Sequence, residues 1–280
     1  KEELLDRSTA THSTDGEGVG GGGDGSGGGG FFANLAAAAT SDVARAQTLR
    51  NEQRGDETEM LSQLQILSLL VAAVSHDVDH PGITNAFLVN SGAALALRYN
   101  DNSVLESHHA ATTFAILQAQ RCNMLGTLND GDRREARQLI IGAIMATDMA
   151  RHPQIVRDLA QHATERTQGT PAAFKVSVIT HMADLCNCAI RWELSQEWAR
   201  RVCAEATAQA IREQDLGLAP DKVTPYTDAE LAARQLVFLD GWVRPLFKAA
   251  AIHYPGARGR LHAVNRCREA CKEELRSSST

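Results

Sequence analysis

Apolar residues recur at helical spacing along most of the chain, from about Asp42 onward. The clearest case is the segment 61–74, in which leucine, isoleucine and valine return every three or four positions or fewer. This interval matches one face of a helix, so the pattern predicts an α-helix with a strongly apolar surface. The residues that define the face are Leu61, Leu64, Ile66, Leu67, Leu70, Val71 and Val74.

Further helical patterns follow between turn signals rich in glycine and proline. Ser103 with Glu106 three residues later predicts a capping box for a helix that starts at Val104. No segment alternates as a strand does, and alanine, the best helix former, is abundant. The sequence therefore predicts an all-α, multi-helix fold. Predicted helices cover residues 85–90, 93–99, 104–119, 136–149 (with its start at or near Asp132), 172–190, 191–214 and 228–250, with turns or loops at 91–92, 168–171 and 217–227.

A glycine-rich segment sets the N-terminal region apart. Residues 16–30 consist mostly of glycine, which loses more freedom on folding than other residues and buries no side chain. We predict that residues 1–57 are a flexible, largely disordered segment and that residues 58–275 form the folded domain. A phosphate-binding loop would need a preceding strand and a Lys-Ser or Lys-Thr at a following helix start, and neither is present.

Charge and cysteine content narrow the class of protein. The formal net charge of −6 argues against a nucleic-acid surface, which carries a basic stripe. The longest apolar run, Ile66–Val74, is far shorter than a bilayer span, so we predict no transmembrane segment. The six cysteines include no Cys-x-x-Cys pair, and we interpret them as reduced thiols. We expect a cytoplasmic protein, whose attachment to a membrane would require regions outside this sequence.

The segment with the most specific chemistry directly follows the apolar helix and reads His76-Asp77-Val78-Asp79-His80. We expect His76 and His80 to share a helix face, because positions four apart do so. Imidazole and carboxylate together suit zinc, manganese or magnesium, and one carboxylate can bridge two cations. The alternative is a helix cap with a structural histidine. More ligand-type side chains occur at His108-His109 and in the segment 181–184.

Four blocks in order resemble the catalytic domain of the 3′,5′-cyclic nucleotide phosphodiesterases. They are SHDVDHPGITNAFLVNSGAALALRYNDNSVLESHHAATTFAIL (75–117), ATDMARH (146–152), HMADLCN (181–187) and QLVFLDGWVRPLF (235–247). The resemblance covers roughly residues 60–250 and implies that family's compact helical bundle. It also implies hydrolysis of cyclic AMP, cyclic GMP or both to the 5′-monophosphate, in signal transduction.

The resemblance implies two divalent metal ions and assigns residues to them. The tightly bound ion, usually zinc, would take His76, Asp77 and Asp184 as ligands. Asp77 would also face a second ion, usually magnesium or manganese, that is held largely by water. His80, Glu106 and His109 would orient waters and ligands, and Thr147 and Asp148 would line the side of the second metal. For His108 a structural role and a functional role stay equally open.

The resemblance also implies a pocket for the nucleotide base. Gln235 would hydrogen-bond the base, Phe238 and Val202 would form opposite apolar walls, and Asn187 would touch the base. The residues alone favour a plainer interpretation, with Phe238 in the core and Gln235 at the surface. Cys188 stands where the family has proline, and smaller residues replace larger or aromatic ones at Ser195, Cys203 and Ala206. A roomier or reshaped pocket would follow.

One block of the family is missing from these 280 residues. The family has a His-Asn-x-x-His motif a few tens of residues before the His-Asp pair, in which the first histidine is the general acid and the second is a metal ligand. The histidine that precedes His76 here is His12, in THSTDG, which lacks both the asparagine and the second histidine. Either the motif lies before Lys1, as the non-methionine start favours, or the protein lacks it. We interpret His12 as an exposed loop residue.

Two other classes of function stay open on the sequence. One is a pseudoenzyme that binds cyclic nucleotides, and the other is a different His-Asp metal phosphohydrolase, against which the 235–247 block argues. The sequence leaves the preference between cyclic AMP and cyclic GMP open, because a glutamine amide can rotate to suit either base. Oligomeric state and any upstream regulatory domains are likewise not predicted.

Overall fold

The computed structural model describes residues 60–164, 171–218 and 226–278. Within these ranges the secondary structure is helical and contains no strand, which confirms the predicted all-α class. The α-helices are α1 (Gln63–Ser75), α2 (Asn85–Asn90), α3 (Ala94–Tyr99), α4 (Val104–Gln118), α5 (Asp130–Met145), α6 (His152–Thr164), α7 (Ala172–Asp184), α8 (Trp192–Asp215), α9 (Asp228–Phe238), α10 (Arg244–His253) and α11 (Pro255–Ser277). Short 3₁₀ segments cover Gln120–Cys122, Met149–Arg151 and Leu185–Cys188, and a π-helical segment covers Leu239–Val243.

Helix α1 forms where the apolar periodicity predicts it, and its first turn is closed by side chains. The Ser62 hydroxyl accepts the backbone N–H of Gln65, while the Gln65 side chain accepts the backbone N–H of Ser62. This reciprocal capping satisfies two donors that a helix start leaves without intrahelical partners. The helix ends at Ser75, so His76 already lies outside its regular hydrogen bonding.

The first part of the core lies where α1, α5 and α7 pack together. Val71 and Ala72 from α1 meet Ile140 and Ile144 from α5 and Val176 from α7, and all five are buried. Burial of each valine or isoleucine side chain contributes about 1.5–3 kcal/mol to the stability of the fold. This packing fixes the C-terminal end of α1, and therefore the position of the residues that follow it.

A second part of the core joins α7 to the C-terminal helices. Val178 of α7 contacts a cluster that includes Leu246 and Ala250 of α10. Phe247, on the same helix, is 1% exposed and packs with Cys267 of α11. Helix α7 therefore belongs to both core regions, and its last residue, Asp184, is held from both sides.

Several predicted helices differ from the structure in their bounds, and the one expected over 172–190 ends as an α-helix at Asp184, before a 3₁₀ segment. The helix expected to open near Asp132 begins at Asp130, where the Asn129 side chain accepts the backbone N–H of Asp132. It ends at Met145, before the expected residue 149, and a 3₁₀ turn follows. The helix expected over 228–250 is interrupted by the π-helical segment, which shifts the hydrogen-bond ladder by one residue.

Several predictions fall on residues outside the described ranges. They concern the flexible segment 1–57 with its glycine-rich stretch 16–30, His12, the turn at 168–170 and most of the loop 217–227. None of the helices in the described part of the chain has the length and apolar character that a membrane crossing requires.

A buried pair of histidines connects the start of α6 with the end of α7. His152 and His181 are 3% and 0% exposed, and Nδ1 of His152 lies 2.9 Å from Nε2 of His181. Burial lowers the pKa of both imidazoles, and that of His181 falls to about 4, with a further lowering from the neighbouring His152. Nδ1 of His181 is buried without a hydrogen-bond partner, so a proton added there has no acceptor, and the charge of nearby Asp184 offsets the cost of burial only in part.

We predict that acidification destabilises the fold through His181. The unfolded imidazole takes up a proton below its pKa of about 6.5, whereas the folded one does so only near 4. Stability is therefore lost as the pH falls between these values, by about 2 kcal/mol from pH 7 to pH 5. Urea unfolding with chelator present should show this loss in wild type and a smaller loss in His181→Asn.

The exposed His262 on α11 gives the matched control. His262→Asn should keep the wild-type dependence of unfolding free energy on pH. Equal pH slopes for His181→Asn and wild type would contradict the assignment to the buried pair.

Candidate metal centre

The segment that carries the candidate ligands leaves the helix and forms a turn. Residues 76–79 are in turn conformation after α1 ends, and Asp79 has φ of 61°, in the left-handed region. The expectation that His76 and His80 share a helix face is therefore wrong. A left-handed residue cannot continue a right-handed helix, and the reversal at Asp79 directs His76 and His80 to different groups of ligand atoms.

The first of these groups contains His76, Asp77 and Asp184, with ligand atoms within 4.8 Å of one another. Nε2 of His76 lies 3.4 Å from Oδ2 of Asp77 and 3.3 Å from Oδ1 of Asp184. Asp184 ends α7, whereas the other two follow α1, so the packing of α1 on α7 brings them together. We call this set the His76 triad.

The protonation of His76 follows from its hydrogen bonds. Nδ1 lies 2.9 Å from the carbonyl oxygen of Ala73, which can only accept, so Nδ1 carries a proton. The hydrogen bond to Asp184 raises the pKa of His76 to about 9, against an opposing effect of burial. A proton on Nε2 therefore balances the two carboxylates, and a divalent cation bound by the same three groups would take the place of that proton.

The second group contains Asp77, His80 and His109, again within 4.8 Å. His109 of α4 is 2% exposed, and its Nδ1 lies 2.8 Å from the carbonyl oxygen of Val78, to which it donates. Burial lowers the pKa of His109, which favours a neutral ring with a bare Nε2. That lone pair lies 3.8 Å from Oδ1 of Asp77, so two acceptors face each other and require a cation or a donating water between them. We call this set the His109 triad.

His80 differs from the other histidines in its hydrogen bonding. Its Nδ1 accepts the backbone N–H of Gly82 at 3.0 Å, and its ring stacks on that of His109 with centroids 5.5 Å apart. In the neutral form Nε2 then carries the proton and offers an N–H rather than a lone pair. This arrangement suits a hydrogen-bond donor to a water or a phosphate oxygen better than a metal ligand.

Asp77 belongs to both triads and uses a different oxygen in each. Oδ2 faces His76 and Oδ1 faces His109. A carboxylate placed in this way can bridge two cations, which is how two-metal hydrolases polarise a phosphate and activate water. Imidazole nitrogen and carboxylate oxygen suit zinc, magnesium and manganese, so the residues present fit the predicted pair of divalent ions.

Glu106 lies in the first turn of α4 and is 9% exposed. Burial raises the pKa of its carboxyl group, and a hydrogen bond from Asn85 opposes that rise. Asn85 uses both ends of its amide here, because Nδ2 donates to Glu106 and Oδ1 accepts the backbone N–H of Leu105. The start of α4 is therefore capped from α2.

The predicted capping box of Ser103 with Glu106 is wrong for this reason. Ser103 is left-handed, with φ of 43°, and makes no side-chain cap. Its hydroxyl instead donates to Oδ2 of Asp148 at 2.7 Å. Asp148 also accepts the backbone N–H of Ala150, and Thr147 donates to the carbonyl oxygen of Ile144, so both of these predicted site residues are buried and hydrogen-bonded.

Of the four residues predicted to line a base pocket, Gln235 lines a hollow in the described part of the chain and the other three do not line it. Gln235 lines a small hollow between α8 and α9, together with Trp192, Gln196, Ala199, Asp228, Leu231 and Ala232. Its Nε2 donates to Sγ of Cys188 at 3.3 Å. Burial raises the pKa of this thiol to about 12, so the sulfur stays protonated.

The other three lie outside the lining of that hollow. Phe238 packs into the core beside α10 and α11, in keeping with the plainer interpretation of that residue. Val202 on α8 is 56% exposed. Oδ1 of Asn187 is buried without a protein partner, which leaves an acceptor for another group.

The sequence did not identify three residues that shape this centre. Asn85 and Ser103 act on partners about 20 and 45 positions away, and His108 contacts Asp79 across 29 positions. Each is a common polar residue with no local motif for such a partner. The position of His108 beside His109 was the available signal, and it did not identify the partner.

Known sequences that are similar to this chain are cyclic nucleotide phosphodiesterases. The sequence model of a family described as 3′5′-cyclic nucleotide phosphodiesterase matches residues 38–264. The probable 3′,5′-cyclic-AMP phosphodiesterase pde-4 of Caenorhabditis elegans is 34% identical over 223 residues, which are 76% of this chain and 33% of that protein. The 3′,5′-cyclic-AMP phosphodiesterase 4C of Mus musculus is 32% identical over 221 residues, 75% of this chain and 32% of that protein. The chain thus spans about a third of the length of these relatives.

Solved structures show the same similarity. The phosphodiesterase domain of the RhoPDE fusion protein from the choanoflagellate Salpingoeca rosetta superposes with a TM-score of 0.75 at 30% identity, over 79% of this chain and 72% of that one. A second structure, of the phosphodiesterase domain of Salpingoeca rosetta rhodopsin phosphodiesterase, gives a TM-score of 0.74 at 30% identity, with 80% and 70% covered. The helical bundle is therefore the one found in these domains.

We predict that a divalent cation displaces the proton on Nε2 of His76. Because the pKa of His76 is about 9, binding at pH 7.5 should release about one proton, and affinity should rise up to about ten-fold from pH 7 to pH 8. Isothermal titration of Mn²⁺ in two buffers of different ionisation enthalpy measures the release. His262→Asn is the control for histidine loss, and Asp184→Asn should bind more weakly and release fewer protons. Tight binding without proton release would contradict the assignment.

Proposed function

The chain belongs to the 3′,5′-cyclic nucleotide phosphodiesterase family, and on that premise we propose that its chemistry is the metal-dependent hydrolysis of a cyclic nucleotide to the 5′-monophosphate. The observation that carries the proposal is the position of Asp77, whose two oxygens face the histidines of two ligand triads. A shared carboxylate of this kind holds two cations close enough to act on one phosphodiester.

Different residues of the chain would bind the two ions and orient the waters near them. His76, Asp77 and Asp184 would hold the more tightly bound ion, for which zinc is suited, and Asp77 would also hold magnesium or manganese. When bound, these ions supply an acidified water and neutralise the phosphoryl oxygens. His109 presents its bare Nε2 toward Asp77, and His80 presents an N–H donor beside it. The buried carboxyl groups of Glu106 and Asp148 would orient waters nearby.

Cyclic AMP is the substrate we propose first, because the curated relatives are named as cyclic-AMP phosphodiesterases. Gln235, which lines the hollow between α8 and α9, would hydrogen-bond the purine edge. Asn187 would supply its unpartnered Oδ1 to the base, with Val202 and Phe238 as apolar surfaces near it. The amide of Gln235 can present a donor and an acceptor to either purine, so cyclic GMP is a second candidate substrate.

Hydrolysis also needs an acid that protonates the departing 3′ oxygen, because an alkoxide leaves poorly. In the family a His-Asn-x-x-His motif supplies it, and these 280 residues contain no such motif. The pseudoenzyme hypothesis rests on this observation. Binding of nucleotide without turnover by the natural full-length protein would favour it, whereas a metal phosphohydrolase of another kind would act on linear nucleotides and leave cyclic ones intact.

The proposal is tested by product analysis on the natural protein that contains this chain. Chelation should abolish conversion of cyclic AMP to 5′-AMP, and zinc with magnesium or manganese should restore it. Asp77→Asn should lower kcat by a factor of about 100 or more, since the amide can no longer bridge two cations. The exposed Asp130→Asn at the start of α5 is the matched control. Conversion that survives chelation and Asp77→Asn would contradict the proposal.

For the 280-residue polypeptide alone we predict little or no turnover, because it lacks the acid and one ligand of the family's metal set. Purified residues 1–280 would be assayed with magnesium, manganese or zinc against cyclic AMP and cyclic GMP. Robust hydrolysis of either nucleotide would contradict this prediction.

We predict that Gln235→Ala weakens the binding of cyclic AMP by roughly ten-fold, the loss of one or two hydrogen bonds to the base. Titration with cyclic AMP measures it in the chain loaded with Mn²⁺. Gln196→Ala, on the opposite side of the same hollow, is the control that separates hydrogen bonding to the base from a change of the cavity. Equal affinities of wild type and Gln235→Ala would contradict the assignment.

A further inference from the structure

His108 makes a hydrogen bond that the proposed chemistry does not use. Its Nε2 lies 2.8 Å from Oδ2 of Asp79, and its ring meets the edge of Tyr99 at a centroid distance of 6.2 Å. The His108 side chain is 14% exposed, whereas that of Asp79 is 70% exposed. Neither residue belongs to the His76 triad or the His109 triad.

The partner of His108 is the left-handed residue of the turn. Asp79 has φ of 61°, a conformation that costs most residues about 1–2 kcal/mol and that glycine, asparagine and aspartate tolerate best. The turn is also closed by backbone bonds, from Val78 to Ser75 at 3.1 Å and from His80 to Asp77 at 3.2 Å. These bonds span three residues and reach no farther than the end of α1, so they do not attach the turn to any other helix.

Helix α4 supplies that attachment through neighbouring histidines. His109 donates to the carbonyl oxygen of Val78 at 2.8 Å, and His108 contacts the carboxylate of the next residue, Asp79, at the same distance. The turn is therefore held at two successive positions, once through its backbone and once through a side chain. Asp77 lies immediately before them.

The helix that holds the turn is itself firmly placed. Its first turn is capped by Asn85 and carries the buried Glu106, and Ser103 just before it is bound to Asp148. Further along, Ala110 packs in the core with residues of α1 and α5. Helix α4 is thus a fixed reference against which the turn after α1 can be oriented.

We propose that His108 is a positioning residue of the metal centre, which acts through Asp79 to hold Asp77 between His76 and His109. The proposal rests on the metal centre proposed above and assigns a role to a residue that neither triad includes. Aspartate meets two requirements at position 79. It tolerates a positive φ, and its carboxylate reaches His108.

Aspartate as an ordinary turn residue is the competing explanation, and it gives opposite results for one substitution. If only the backbone conformation mattered, Asp79→Gly would be neutral or favourable, because glycine adopts positive φ without strain. If the contact with His108 matters, Asp79→Gly loses it and weakens metal binding. Asp79→Asn keeps both the left-handed tolerance and an acceptor oxygen, so it should resemble wild type.

The matching pair at the other end is His108→Gln and His108→Ala. A glutamine amide can place an N–H near the position of Nε2, whereas alanine removes the donor. Because the Asp79 side chain is largely exposed, the pair contributes little to global stability by itself, and metal affinity is the more informative readout. His262→Ala, at an exposed histidine on α11, controls for loss of a histidine as such.

The experiment measures Mn²⁺ affinity of the full 280-residue chain by electron paramagnetic resonance, after chelation and with circular dichroism to verify the fold. We expect Asp79→Gly and His108→Ala to bind about ten-fold more weakly or worse, which is the usual cost of losing a group that orients a metal ligand. Asp79→Asn, His108→Gln and His262→Ala should stay within about three-fold of wild type.

Each outcome decides between the two proposals. Wild-type affinity in Asp79→Gly or His108→Ala would overturn the positioning role while leaving the metal centre intact. A wild-type chain that binds no Mn²⁺ would overturn the metal centre and the positioning role with it. If the alanine variant fails to fold, Asp79→Gly against Asp79→Asn still decides, since equal loss in both would overturn the role of the hydrogen bond.

Discussion

The structure around the candidate site depends on one electrostatic constraint, the convergence of carboxylate oxygens and imidazole nitrogens on Asp77. Oδ2 of Asp77 lies 3.4 Å from Nε2 of His76, and Oδ1 lies 3.8 Å from Nε2 of His109. Acceptors at such distances repel one another unless a proton, a donor or a cation lies between them. In the protein without a cation, a proton on His76 meets this constraint, and the pKa of His76 is raised for that reason.

Meeting that constraint requires helices that are distant in sequence. Helix α1 delivers the turn with His76 and Asp77, α4 delivers His109, and α7 delivers Asp184 at its last residue. The apolar packing of α1, α5 and α7 holds the ends of two of them, and α4 is anchored by Asn85. The core thus supplies the free energy with which the polar groups are brought together.

The chemistry of the metal side and that of the base side are built differently. Around Asp77 the side chains are fixed by backbone carbonyls and by each other. Gln235, by contrast, donates to the thiol of Cys188, and a thiol sulfur is a weak acceptor. The group proposed to select the base is therefore held by a weak contact to a thiol.

The sequence by itself predicted the all-α class and a helix over 61–74, which the structure has at Gln63–Ser75, and its resemblance to the family pointed to the three residues of the His76 triad. Helical periodicity reports which face is buried, and the HDVDH and HMAD segments identify the ligand types. It did not determine the end of α1 at Ser75, the left-handed Asp79, or the contacts of Ser103, Asn85 and His108. The contacts of Ser103, Asn85 and His108 each depend on a partner about 20 to 45 residues away, which local propensity cannot report. Only the packing of α1 against α7, and of the turn against α4, decided which ligand faces which.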